Sequence, residues 1–125
     1  MTERAGERFA RALAAKDAAA LTSLLAPEVD FKALTPGEFW ECGDARELVD
    51  ETLLGIWFRA EREIVETIAV DSDDLGPMER VRYRFRVVGP DGDSTIEQQA
   101  YYETSDGRIS WLRIMCTGFL PVDPA

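Results

Sequence analysis

The stretch Val81-Arg82-Tyr83-Arg84-Phe85-Arg86-Val87, followed downstream by Ile96-Glu97-Gln98-Gln99-Ala100-Tyr101-Tyr102-Glu103, decides the fold. Both runs alternate with period 2, which is the pattern of a strand with two unlike faces. The segment between them, Gly89-Pro90-Asp91-Gly92-Asp93, is turn chemistry, so the runs read as one antiparallel hairpin. With Tyr83 set opposite Ala100, one face carries Val81, Tyr83, Phe85 and Val87 beside Ile96, Gln98, Ala100 and Tyr102. The other face then sets Arg80, Arg82, Arg84 and Arg86 against Glu103, Tyr101, Gln99 and Glu97. Opposite charges directly across a pair contribute roughly 0.2–1 kcal/mol each, so this register is supported from both faces. The first face reads as the lining of an interior.

Outward from the hairpin, Ile64 to Val70 and Ile109 to Thr117 supply further strands. Ser110, Leu112, Ile114 and Cys116 alternate with Trp111, Arg113 and Met115. A turn at Thr104-Ser105-Asp106-Gly107, with Gly107 as a one-residue left-handed bulge, puts Tyr102 opposite Ser110 and Ala100 opposite Leu112. Towards the N-terminus, Ala5, Phe9, Ala12 and Leu13 recur at helical spacing, and Asp17 caps a second short helix through Leu21, Leu24 and Leu25. Val29, Phe31 and Ala33 alternate as a short strand, and Phe39-Trp40-Glu41-Cys42 reads as a loop. Asp44-Ala45-Arg46-Glu47 is a capping-box pattern opening a third helix, whose buried stripe is Leu48, Val49, Leu53, Ile56 and Trp57. Helices first and an antiparallel meander after them is an α+β order, with one sheet curling over three helices.

The 125 residues form a single domain, 1–125, large enough to fold without a metal or disulfide. Fourteen basic against 24 acidic side chains give a net charge of −10, which repels phosphate backbones and anionic lipids. Neither nucleic acid nor membrane is an expected partner, and Arg4, Arg8, Arg11 and Lys16 interrupt every apolar run of the N-terminal stretch. Two distant cysteines, Cys42 and Cys116, match no metal-ligand spacing. They are expected as free thiols in a cytoplasmic protein with no cofactor.

The chain resembles the nuclear transport factor 2-like superfamily in its SnoaL-like branch. The resemblance rests on Phe9-Ala10-Arg11-Ala12-Leu13 through Asp17 to Leu24-Leu25-Ala26-Pro27-Glu28-Val29-Asp30-Phe31, on Gly43, and on Asp106-Gly107-Arg108-Ile109. It implies a cone: three N-terminal helices packed in the concave face of a strongly curved, mostly antiparallel sheet. It also implies an internal pocket and a convex face used for homodimerisation, a face that here carries Trp111 and Met115. The positions of the ketosteroid isomerase catalytic groups fall on Phe9, Ala33 and Ala100, and the histidine used by dehydratase relatives has no counterpart because the chain has none.

The expected ligand is a small hydrophobic molecule, with Phe31, Trp40, Trp57, Tyr83, Gln98, Tyr102, Leu112 and Cys116 as candidate lining. Gln98 either bonds the ligand or is satisfied internally, and Tyr83 and Tyr102 either hold a carbonyl or are core aromatics. Three functions stay open. A binding protein is the first. A cyclase or isomerase using Asp50 or a tyrosine for proton transfer is the second, and a dimerising interaction protein with a filled interior is the third.

Overall fold

The computed structural model describes residues 3–122. Two helices, α1 (Ala5–Ala14) and α2 (Ala18–Leu24), lead into β1 (Leu25–Thr35) and β2 (Glu38–Cys42). A single turn, α3 (Ala45–Glu47), continues as a wider π-helix, π1 (Leu48–Trp57). Five strands follow: β3 (Glu63–Leu75), β4 (Met78–Gly89), β5 (Gly92–Ser105), β6 (Arg108–Cys116) and β7 (Leu120–Pro121). They make one sheet in the order β2-β1-β6-β5-β4-β3, with β7 against β5. Every pairing is antiparallel except β1 with β6. The helices cover the concave side of this curled sheet, and the core between the layers is built from Phe9, Leu13, Leu21, Phe31, Leu53, Phe58, Phe85 and Leu112 among others.

The alternation assigns the faces of the central hairpin as expected, but the register lies two residues away. Tyr83 pairs with Gln98 and Val81 with Ala100, because the chain reverses on Pro90-Asp91 alone between paired Gly89 and Gly92. A slip of two leaves every side chain on its own face. It changes the partners: Arg80 faces Tyr101, Arg82 faces Gln99, Arg84 faces Glu97 and Arg86 faces Thr95. Arg84 bonds the Glu97 it faces, while Arg82 reaches Asp71 on β3 and Glu97 on β5 and Arg86 reaches Asp93 on β5.

The last hairpin is likewise shifted. Asp106 and Gly107 both take positive φ, 53° and 79°, as a two-residue turn requires, so no bulge is spent at Gly107. The bulge falls at Ser110, which the ladder skips between Thr104–Ile109 and Glu103–Trp111. Ile109 rather than Ser110 is therefore buried, and Tyr102 meets Leu112 and Ala100 meets Ile114.

Other expectations change as well. Phe39-Trp40-Glu41-Cys42 is strand β2 rather than loop, because it returns antiparallel along β1 from the Pro36-Gly37 turn. Leu25 starts β1 instead of ending α2. β3 extends to Leu75, and its ladder with β4 skips Val65 and Ile68 as bulges. Asp44 accepts the Arg46 amide at 3.1 Å, but Glu47 makes no return bond to the cap among the described residues. The third helix is π-wound because its buried residues, Leu48, Val49, Leu53, Trp57 and Phe58, recur every four to five positions. That is the period of i→i+5 bonding, not the 3.6 of an α-helix. Ile56 is consequently exposed, not part of the stripe.

Candidate functional site at the mouth of the curled sheet

Most of the concave face is filled. Tyr83, Tyr102, Phe31 and Leu112 are buried to within 1% of complete, and Gln98 is 1% exposed. Among the described residues Gln98 is the one buried polar side chain of the core, and it is satisfied internally. Its Oε1 accepts the Tyr83 hydroxyl at 2.5 Å, and its Nε2 donates to Cys116 Sγ at 3.3 Å. Tyr83 stacks on Phe85 and tilts against Phe9, and burial pushes its pKa well above the usual phenol value.

At the other end of β5, Tyr102 is equally engaged. Its hydroxyl accepts the Gly6 amide at 2.8 Å and donates to Glu79 at 2.7 Å. Burial first, then the bond to Glu79, raises its pKa. Leu112 lies between Tyr102 and Phe31 in the ladder, inside the same packed layer.

The open space lies where π1 stops, the β1–β2 turn comes round and β6 runs out. A cavity of about 430 Å³ opens there, within the range of small-molecule sites. Ile56 and Trp57 of π1, Ile96 of β5 and Phe119 and Leu120 after β6 form its apolar wall. Cys116, Thr117, Gly118, Thr35, Pro36 and Arg62 complete the rim. No carboxylate takes part among the described residues. A groove of similar volume between α1 and β3 carries Glu3, Glu7 and Arg11 on its wall and suits an apolar molecule less well.

Of the sequence candidates, Trp57 and Cys116 line this cavity. Phe31 and Trp40 stand behind Trp57, with ring centroids 6.0 and 5.7 Å from it. Tyr83, Gln98, Tyr102 and Leu112 are in the filled layer behind the cavity and do not line it. Asp50 is exposed on π1, whereas Leu53 and Trp57, which share its face at α-helical spacing, are buried. The π winding separates them, so this acid is not at the mouth.

Sequence reasoning missed Ile56, Pro36, Arg62, Phe119 and Leu120 as lining. The Gly118-Phe119-Leu120 run was a signal: Gly118 takes φ +77° and turns the chain after β6 back across the opening. The Arg62 guanidinium sits 4.2 Å over the Phe119 ring and donates to the Ile56 and Trp57 carbonyls, closing the end of π1.

Cys116 Sγ also accepts the Gly118 amide at 3.3 Å. Burial pushes the Cys116 thiol up, against the pull of its bonds from Gln98 and Gly118, so it stands as a neutral thiol near neutral pH. Both cysteines are free. Trp40 donates its indole N–H to Thr35 at 2.8 Å, but the Trp57 Nε1 is buried with no hydrogen-bond partner among the described residues.

No family model matches the sequence, and no curated protein is similar to it in sequence. Solved structures match it in fold. A Bacillus subtilis protein provisionally named an isomerase superposes with a TM-score of 0.73 at 13% identity, covering 90% of this chain and 86% of that one. A nuclear transport factor 2-like protein from Burkholderia thailandensis gives 0.68 at 14% identity over 92% of each chain. An LEH-like epoxide hydrolase from M. tuberculosis gives 0.65 at 17% identity, over 90% of this chain and 79% of the other. The chain thus has the nuclear transport factor 2-like fold, an α+β cone. At these identities the likeness carries the fold and leaves activity to the site.

Proposed function

We propose that the protein binds a small, largely apolar molecule at the mouth cavity. The observation that carries this reading is the cavity itself: about 430 Å³, walled by Ile56, Trp57, Ile96, Phe119 and Leu120, with no carboxylate among the described lining residues. Burial of apolar surface there contributes roughly 25 cal/mol per Å² removed from water. The cyclase or isomerase alternative needs a proton-transfer group at the ligand. Asp50 is exposed on π1, Tyr83 and Tyr102 are bonded inside the packed layer, and Cys116 is a neutral thiol, so binding is the better-supported role.

Titration with anilinonaphthalene sulfonate, followed by its fluorescence, tests the site. Leu120→Asp places a charge in the apolar wall at a residue 51% exposed, where folding tolerates it. Probe affinity should fall by about tenfold in that variant. Probe binding that ignores the substitution, or no binding at all, would remove the mouth as a ligand site.

We also infer homodimerisation through the outer face of the sheet. Leu34, Phe39 and Met115 are 48%, 55% and 58% exposed and adjoin in the ladder, Leu34 pairing with both others. Trp111 lies on the same face under the Arg113 guanidinium. Apolar side chains surrounded by charged ones suit an interface with a polar rim, and a second copy of the chain is the partner proposed. A cytoplasmic setting belongs to the same proposal. No helix among the described residues is long and apolar enough to cross a membrane.

A further inference from the structure

We infer that the indole N–H of Trp57 is the polar reader of the mouth, and that the molecule held there carries a carbonyl-type acceptor oxygen on an apolar body. The inference rests on the mouth being a ligand site and adds the chemistry of what it selects.

Trp57 is 5% exposed, and its Nε1 has no partner among the described residues. A buried donor left unpaired costs about 1–3 kcal/mol, so an acceptor brought to it gains more than the same contact made in water. The other buried side-chain atom without a hydrogen bond among the described residues, Arg59 Nε, lies 3.4 Å from Glu61 in an ion pair. Trp57 has no such compensation.

The rest of the rim is already engaged. Thr35 accepts from Trp40, and Thr117 accepts the Glu97 amide and donates to the Gly118 carbonyl. Cys116 sulfur accepts two hydrogen bonds, and Arg62 is held on the carbonyls that end π1. Among the described residues the Trp57 donor is therefore the one side-chain hydrogen-bonding group of the lining with nothing bound to it, and it calls for an acceptor.

The indole packs in the core against two other rings. Trp40 meets it edge-on at 89° and Phe31 at 55°. Its N–H makes no hydrogen bond among the described residues, so a turn of the ring toward a molecule seated in the cavity breaks none. The net charge of −10 favours a neutral carbonyl over a carboxylate.

The test compares acetonaphthone with ethylnaphthalene, two probes of nearly equal size of which only the first has a carbonyl. Acetonaphthone should bind the parent protein about tenfold more tightly, and the gap should vanish in Trp57→Phe, which keeps an apolar ring and loses the N–H. In the parent, the Trp57 indole N–H resonance, assigned through its own side-chain correlations, should move downfield with acetonaphthone and stay in place with ethylnaphthalene. That measurement stands even if Trp57→Phe folds poorly. Equal affinities in the parent, a gap that survives in Trp57→Phe, or a shift confined to the Trp40 indole would overturn this inference while leaving the mouth as a site. Failure of both probes to bind would overturn the site and the inference together.

Discussion

The hydroxyl of Tyr102 takes the place of a helix cap for Gly6, accepting its amide at 2.8 Å. Gly6 is the second residue of α1, and Arg4 at the N-cap offers no side-chain acceptor to the first turn. The Tyr102 bond satisfies one of the amides that every helix start leaves unpaired. The approach is close enough to exclude a larger residue: a Cβ on Gly6 would lie 2.6 Å from Tyr102 Cε1 and 2.8 Å from Val81 Cβ.

Gly6→Ala should therefore destabilise the fold. Overpacking costs about 1–3 kcal/mol, which exceeds the roughly 1 kcal/mol that alanine gains in a helix. Tyr102→Phe should cost about 1–3 kcal/mol by stranding the Gly6 amide. Urea unfolding reads both, and a Gly6→Ala variant more stable than the parent would contradict the contact.

Gln98 joins Tyr83 to Cys116, so Gln98→Leu should destabilise the empty protein by about 1–3 kcal/mol, the cost of leaving the Tyr83 hydroxyl buried and unpaired. Adding Tyr83→Phe should recover part of that loss, because the pair then becomes apolar on both sides. A double variant less stable than Gln98→Leu alone would sink the network reading.

Stability should fall at both ends of the pH scale. Asp71 is held below its usual range by its bond from Arg82, Asp93 by Arg86 and Glu7 by Ser72. A lowered carboxylate stabilises above its unfolded pKa, so this share is complete above about pH 4.5 and is lost as the pH falls below that. All three are near the surface, and salt should shrink the acid limb. Burial raises Cys116, Tyr83 and Tyr102, and a raised acid stabilises below its unfolded pKa, so their share is lost as pH climbs past about 9. Lys16, lowered by burial, works in the opposite direction. Thermal melts across pH should show a steeper alkaline limb in the parent than in Tyr102→Phe; identical limbs would refute the assignment.

If the outer face pairs two copies, Met115→Lys should convert dimer to monomer in light scattering while leaving the monomer folded, with a melting temperature that no longer rises with protein concentration. Met115 is 58% exposed, so nothing in the core is disturbed. A parent that is monomeric at micromolar concentration would end the dimer proposal.

The faces of the sheet were legible because burial alternates with period 2, and a two-residue slip at Pro90-Asp91 does not disturb it. The slip itself was not legible, since the five-residue segment admits several turns and only backbone geometry selects one. The Ser110 bulge resets the alternation within β6 and leaves no composition signal. The π winding was readable in principle from the spacing of Leu48, Leu53 and Phe58, but a 3.6 period fits the neighbouring pairs well enough to mask it. Within the site, Trp57 and Cys116 came from sequence, whereas the orphaned indole N–H is a fact about what three-dimensional packing withholds.

The two bulges of β3 break a free edge of the sheet. β3 is an outer strand of an open sheet, and Val65 and Ile68 are exposed on it. A flat strand with those residues would template the addition of a second chain, the first step of fibrillar aggregation. Each bulge interrupts the row of amides and carbonyls that such a strand would need to copy, and Glu63, Glu66, Asp73 and Asp74 add like charge along the same edge. Deleting both Val65 and Ile68 would straighten the edge into a continuous ladder and leave it open to a second strand.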